Sequence, residues 1–230
     1  MHIAGVQRLS LLDYPGKLSC IVFLPGCNLR CPFCHNAEIV TQNHSEIEES
    51  SVLEFIESRK TVLDGVCITG GEPTLQKDLP EFISKVKDIG LSVKLDTNGT
   101  APETLQYIID NRLVDYIAMD IKTSLEKYPI AVGVESFTTD KIKRSIDMIM
   151  SSEIDYEFRT TVSRGIVELE DIDDICKTIS GCKAYYLQKF VNSGNLVGEG
   201  DFEVSDLYML SCYQRAKEKL ENVGLRGVDI

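Results

Sequence analysis

Apolar residues recur along this chain in two rhythms that take turns. Runs with little polar interruption, at 18–24, 65–69, 91–95, 114–119, 156–162 and 184–190, read as strands buried on both faces. Between them apolar positions fall three or four apart, which predicts helices over 52–59, 78–89, 102–111, 169–179 and 205–223, and from residue 139 or 140 to 150. Over 78–89, Leu79, Phe82, Ile83 and Val86 share one face, and Gly90 stops the helix. Pro102 suits a first helical turn, and Thr139 or Asp140 can cap the helix that follows it. Arg226-Gly227-Val228 reads as a last strand. No repeat, low-complexity segment or linker interrupts the alternation, so residues 1–230 read as one domain with an N-terminal extension. Strand–helix alternation with short connections predicts an α/β fold, a parallel sheet covered by helices.

Polar residues that interrupt this pattern collect at one end of each strand. A cysteine loop follows the first main strand, and Thr69-Gly70-Gly71-Glu72-Pro73 follows the second. Asp96-Thr97-Asn98-Gly99 ends the third and Asp120-Ile121-Lys122 the fourth, while Arg159 and Gln188 fall late in the fifth and sixth. In parallel sheets and barrels ligands bind at the carboxyl ends of the strands, so these residues are expected to line one site.

Composition narrows the classes. The net charge is −12 and no long basic run occurs, which argues against nucleic acid as a partner. No apolar stretch is long enough to span a bilayer, and Met1-His2-Ile3-Ala4-Gly5 leads into polar residues rather than a signal peptide, so the expected location is the cytoplasm. In that reducing compartment clustered cysteines point to metal rather than disulfides. Of eight cysteines only Cys27, Cys31 and Cys34 cluster; Cys20, Cys67, Cys176, Cys182 and Cys212 are read as small hydrophobes.

The C-x3-C-x2-C spacing admits two readings. Three thiolates on one loop can hold three irons of a cubane iron–sulfur cluster and leave the fourth iron open. Zinc is the other reading, but it calls for a fourth ligand. His35 adjoins Cys34 too closely to share its metal, His44 lies far along the chain, and no second cysteine pair follows. Gly70-Gly71-Glu72-Pro73 can be a plain turn, or a place where backbone and carboxylate meet a ligand's amino group.

Together, C-x3-C-x-aromatic-C and a later strand ending in GGEP resemble the radical S-adenosylmethionine (radical SAM) superfamily. The resemblance implies a partial (β/α)6 TIM-like barrel of parallel strands and one [4Fe–4S] cluster on Cys27, Cys31 and Cys34 as the catalytic centre. It further implies S-adenosylmethionine as cofactor, chelated to the open iron and cleaved reductively to methionine and a 5′-deoxyadenosyl radical. Phe33 takes the aromatic position near the adenine, and Gly70, Gly71 and Glu72 the motif that meets the amino group.

Asp13-Tyr14-Pro15-Gly16-Lys17 and the run from Leu24 to Asn36 narrow the likeness to glycyl-radical-enzyme activases, most of all those of anaerobic ribonucleoside-triphosphate reductase. By position the resemblance gives Asp96 and Lys122 cofactor contacts, assigns a monovalent cation to Asp96, Thr97 and Asp120, and places Arg159 near the ribose. Asp13 would hold the backbone of a partner loop. The implied partners are a glycyl radical enzyme and a flavodoxin or ferredoxin as electron donor. Where related activases carry a histidine after the sixth strand this chain has Phe190, leaving that contact absent or made by Gln188 or Lys189. Only 37–69 separates the cysteine loop from GGEP, with Cys67 its one cysteine, so no second cluster is expected. Small-molecule enzymes such as 7-carboxy-7-deazaguanine synthases share both motifs and are the alternative, and a non-catalytic zinc or cluster-binding module is the third reading.

Overall fold

The computed structural model describes residues 1–41, 46–192 and 194–228. Eight strands form one sheet: β1 (Gly5–Ser10), β2 (Ser19–Leu24), β3 (Gly65–Gly70), β4 (Ser92–Thr97), β5 (Tyr116–Asp120), β6 (Asp155–Val162), β7 (Tyr185–Lys189) and β8 (Val223–Arg226). Their spatial order is their chain order. A sequential order winds the sheet in one sense, toward a barrel, with no point where the winding reverses. β1 runs antiparallel to β2, and every later pair is parallel. Among the described residues β1 and β8 do not pair with each other, so the barrel is open along one side.

Helices α1 (Ala37–Thr41), α2 (Glu49–Arg59), α3 (Leu79–Asp88), α4 (Pro102–Asp110), α5 (Tyr128–Val132), α6 (Asp140–Ser151), α7 (Leu169–Thr178) and α8 (Asp206–Lys217) fill the connections. Six strand-to-helix units, begun by β2 through β7, precede β8, which matches the expected six-unit barrel. The core forms because the strands bury both faces and the helices one. In α3, Leu79, Phe82, Ile83 and Val86 are fully buried, each stabilising by about 1.5–3 kcal/mol.

Several boundaries differ from the sequence reading. β4 and β5 run on to Thr97 and Asp120, so those site residues sit in strands rather than after them. The last helix ends at Lys217, not at 223, and the final strand starts at Val223, before the expected 226–228. The chain must turn there because Asn222 is tied to the neighbouring strand: its carbonyl accepts from Tyr185 N at 2.9 Å and its Nδ2 donates to Lys183 O at 3.0 Å. The N-terminal extension contains β1, which the sequence pattern did not resolve as a strand.

Candidate active site

The cysteine loop leaves β2 at the carboxyl end of the sheet and is held by backbone hydrogen bonds from several directions. Arg30 N donates to Val132 O (2.8 Å) at the end of α5. Val197 N donates to Cys34 O (3.1 Å), and Gly198 N to Pro32 O (2.9 Å). Glu72 N donates to Gly26 O (2.8 Å), and Gly71 N to Leu24 O (2.8 Å). The last two bonds dock the GGEP turn against the loop. They require glycine: a Cβ on Gly71 would run into Gly26 O, and Gly70 has φ +121° with Leu24 backbone against it. The paired glycines thus serve first to let two backbones meet.

Cys27, Cys31 and Cys34 are all free thiols lining one cavity. Burial pushes Cys31 up to about 12 and raises Cys27, while the Lys122 ammonium pulls both the other way. Phe33, Gly70, Gly71, Asp96, Thr97, Asp120, Lys122 and Arg159 line the same cavity, as does Asp13. The sequence brought Asp13 to this site only through resemblance, and topology supplies the reason. Because β1 is antiparallel, its turn into β2 lies at the opposite end of the parallel strands, and Asp13 reaches the cavity from there.

A chain of charges crosses the cavity wall. Asp120 and Arg159 are register partners on β5 and β6. Arg159 Nε donates to Asp120 Oδ1 (2.8 Å) and its Nη1 to Asp96 Oδ2 (3.1 Å). Lys122 Nζ pairs with Asp120 Oδ2 at 2.9 Å, and Lys94 Nζ with Asp96 Oδ1 at 2.7 Å. Burial alone would raise both carboxyls, but Arg159 with Lys94 or Lys122 more than offsets it and holds Asp96 and Asp120 below the usual carboxylate range.

Glu72 is fully buried and its carboxylate does not line the cavity. Oε1 accepts from Thr74 N (3.1 Å), from the Thr74 hydroxyl and from Thr97 Oγ1 (2.8 Å), while Oε2 accepts from Asn98 N (2.6 Å). It braces the end of β4. Asp96 Oδ2 and both oxygens of Asp120 accept from Arg159 or Lys122, whereas Asp96 Oδ1 is paired with Lys94 but receives no aligned hydrogen bond.

Phe190 stacks edge-on to Phe202 (5.8 Å), which in turn meets Phe33 (6.3 Å), and Gln188 lines the cavity in its place. Sequence reasoning missed Lys94 and gave Asn98 no role beyond membership of the Asp96–Gly99 run. Asn98 Nδ2 lies 3.7 Å from Cys27 Sγ and donates to Asn28 Oδ1 at 3.3 Å; its place in the Asp96–Gly99 run was the available signal. His35, set aside as a zinc ligand, lines the cavity, whereas His44 lies outside the described residues. Among the described residues no three His, Cys, Asp or Glu side chains converge as one metal ion requires. Three free thiols on one cavity suit a cluster, in which each sulfur takes a separate iron.

A family model described as the Radical SAM superfamily matches residues 21–179. Two proteins of Methanocaldococcus jannaschii, provisionally named glycyl-radical enzyme activating enzymes, are similar over most of the chain. One is 38% identical over 192 residues, 82% of this chain and 79% of its own length. The other is 32% identical over 184 residues, 78% of this chain and 65% of its own. Among solved structures, SuiB of Streptococcus suis bound to its precursor peptide SuiA superposes with a TM-score of 0.71 at 15% identity. The match covers 90% of this chain and 48% of SuiB, and it shows a shared fold. Among the described residues no helix is long and apolar enough to cross a membrane.

Proposed function

The chain belongs to the radical SAM superfamily, and on that footing we propose that it is an activase that generates a glycyl radical on a partner enzyme. The observation that carries the proposal is the convergence of three free thiols and the Asp96–Arg159–Asp120–Lys122 network on one cavity. The thiol donor set fits the family's [4Fe–4S] cluster, with Cys27, Cys31 and Cys34 as its ligands. When bound, that cluster supplies the electron for reductive cleavage of S-adenosylmethionine to methionine and a 5′-deoxyadenosyl radical.

This chain's own residues prepare that chemistry. The Lys122 ammonium, held by Asp120, faces the thiols and lowers the cost of carrying them as thiolates. Gly70 and Gly71 bring backbone to the cavity edge, where a ligand's amino group can bond to it. Asp96 and Asp120 present negative charge to the cationic cofactor, and Arg159 keeps them from repelling each other. Phe33 and Leu29 wall the cavity with apolar surface that excludes water and can cover an adenine. Asp13 is placed to meet the incoming polypeptide, whose glycine Cα–H is the hydrogen donor. No step is assigned to a monovalent cation.

The proposed partner is a glycyl radical enzyme, anaerobic ribonucleotide reductase first among candidates, with a flavodoxin or ferredoxin as electron donor. The provisional names of the two archaeal relatives support an activase, and the peptide-bound neighbour offers a precedent for a polypeptide at this fold. The test incubates the anaerobic protein with reduced donor, S-adenosylmethionine and candidate reductase. A doublet glycyl radical signal by electron paramagnetic resonance, with stoichiometric 5′-deoxyadenosine, is expected, and Cys31→Ala should yield neither. Deoxyadenosine from Cys31→Ala would remove the ligand assignment. Turnover only with a pterin-like small molecule would replace the activase reading with the alternative.

A further inference from the structure

Lys94 lies in the middle of β4 and is 2% exposed. A buried ammonium persists only with its donors partnered, and its partners come from three elements. Asp96 Oδ1, two residues on along the same face of β4, is 2.7 Å away. The backbone oxygen of Asp13, in the turn between β1 and β2, is 2.6 Å away. Cys67 Sγ on β3 is 3.8 Å away. Lys94 therefore touches at once a cofactor-side carboxylate and the turn that reaches the cavity from the other end of the barrel.

That turn has little else to fix its apex. Leu11 and Leu12 are 76% and 87% exposed. The amides of Leu12 and Asp13 both donate to Ser10 Oγ, within the turn itself (3.1 and 3.2 Å). Further on, Tyr14 is buried against Tyr116 and Lys17 Nζ donates to Ser92 Oγ at 3.0 Å, which anchors the end of the turn but not its tip. Among the described residues, the bond from Lys94 is the one that ties the Asp13 backbone to the barrel wall.

We propose that Lys94 is a positioning residue that couples the partner-facing turn 10–17 to the cofactor carboxylate Asp96. The coupling rests on the reading of Asp96 as a cofactor contact. When a cationic ligand group engages Asp96, that carboxylate is shared between ligand, Arg159 and Lys94, and the hold of Lys94 on the Asp13 carbonyl changes with it. The site that binds S-adenosylmethionine and the surface that receives a polypeptide are then linked by one side chain. A lysine that merely balanced the charge of Asp96 would have no effect on the turn.

The test is hydrogen–deuterium exchange on the anaerobically loaded protein, wild type against Lys94→Met, with and without S-adenosylmethionine. Exchange over 9–17 should rise about tenfold in the variant while β3 to β5 stay protected. Added S-adenosylmethionine should alter exchange of this segment in the wild type and not in the variant. Unchanged exchange over 9–17, or an equal rise throughout β3 to β5, overturns the proposal. Asp96→Asn keeps the lysine and removes its anionic partner, so it tests the link even if Lys94→Met does not fold. There too exchange of the turn must change, and wild-type exchange would sever the coupling. No partner enzyme is needed, so failure of the activase reading appears separately, as a missing glycyl radical beside intact coupling. With a competent partner, Lys94→Met should also release about tenfold more deoxyadenosine per glycyl radical formed.

Discussion

Arg159 stands between two carboxylates of the candidate site, and its guanidinium lets both remain ionised side by side. The sign of its effect follows from linkage. Asp96 and Asp120 have depressed values in the folded protein, so their charged forms persist at neutral pH and are lost only as pH falls through those low values. Arg159→Met removes the largest lowering influence and should raise at least one of the two carboxyls. S-adenosylmethionine affinity, measured by equilibrium dialysis from roughly pH 5 to 8, should stay flat in the wild type and fall toward acid in the variant. Parallel profiles would mean that Arg159 does not govern these charges. Most such residues were legible in the sequence because they break apolar strands at their ends. Lys94 was not, because it lies inside the apolar run 91–95 and its partner Asp13 is far away along the chain. Glu72 was legible as important, but not as a brace, because its partners Thr97 and Asn98 arrive from another strand.

At the scale of elements, the site is an assembly of loops whose backbones hold one another. The cysteine loop and the GGEP turn meet so closely at Gly26 and Gly71 that no side chain fits between them. Gly71→Ala should force these loops apart, break the Glu72 N to Gly26 O bond and cost about 1–3 kcal/mol. The melting temperature should drop by about 5 °C and iron content should fall with it. Gly165→Ala is the comparison: its φ is +75° but a Cβ there meets nothing within 4 Å, so it should lower stability by backbone strain alone and leave iron content unchanged. Equal iron content in both variants would show that the close approach is not what shapes the loop. Parallel strands were legible as apolar runs, and amphipathic α3 and α7 by their spacing. The helices α1 and α5 were not, since five residues give too short a window for a period. β1 was hidden because most of its residues are half-buried or exposed at a sheet edge.

At the scale of the molecule, seven parallel strands and one antiparallel strand build a barrel that stays open. The carboxyl ends carry the thiols and the charge network, while the β1–β2 turn closes the cavity from below with Asp13. At the site the carboxylates of Asp96 and Asp120 are paired with lysine or arginine. Everything in the account depends on what the three thiols hold. The most direct measurement is metal and sulfide analysis of the protein purified without oxygen, with spectra of the reduced form before and after adding S-adenosylmethionine. About four irons and four sulfides per chain are expected, with a reduced-cluster signal that shifts when S-adenosylmethionine is added and is absent in Cys27→Ala, Cys31→Ala and Cys34→Ala. A colourless protein carrying about one zinc and no sulfide would contradict the account.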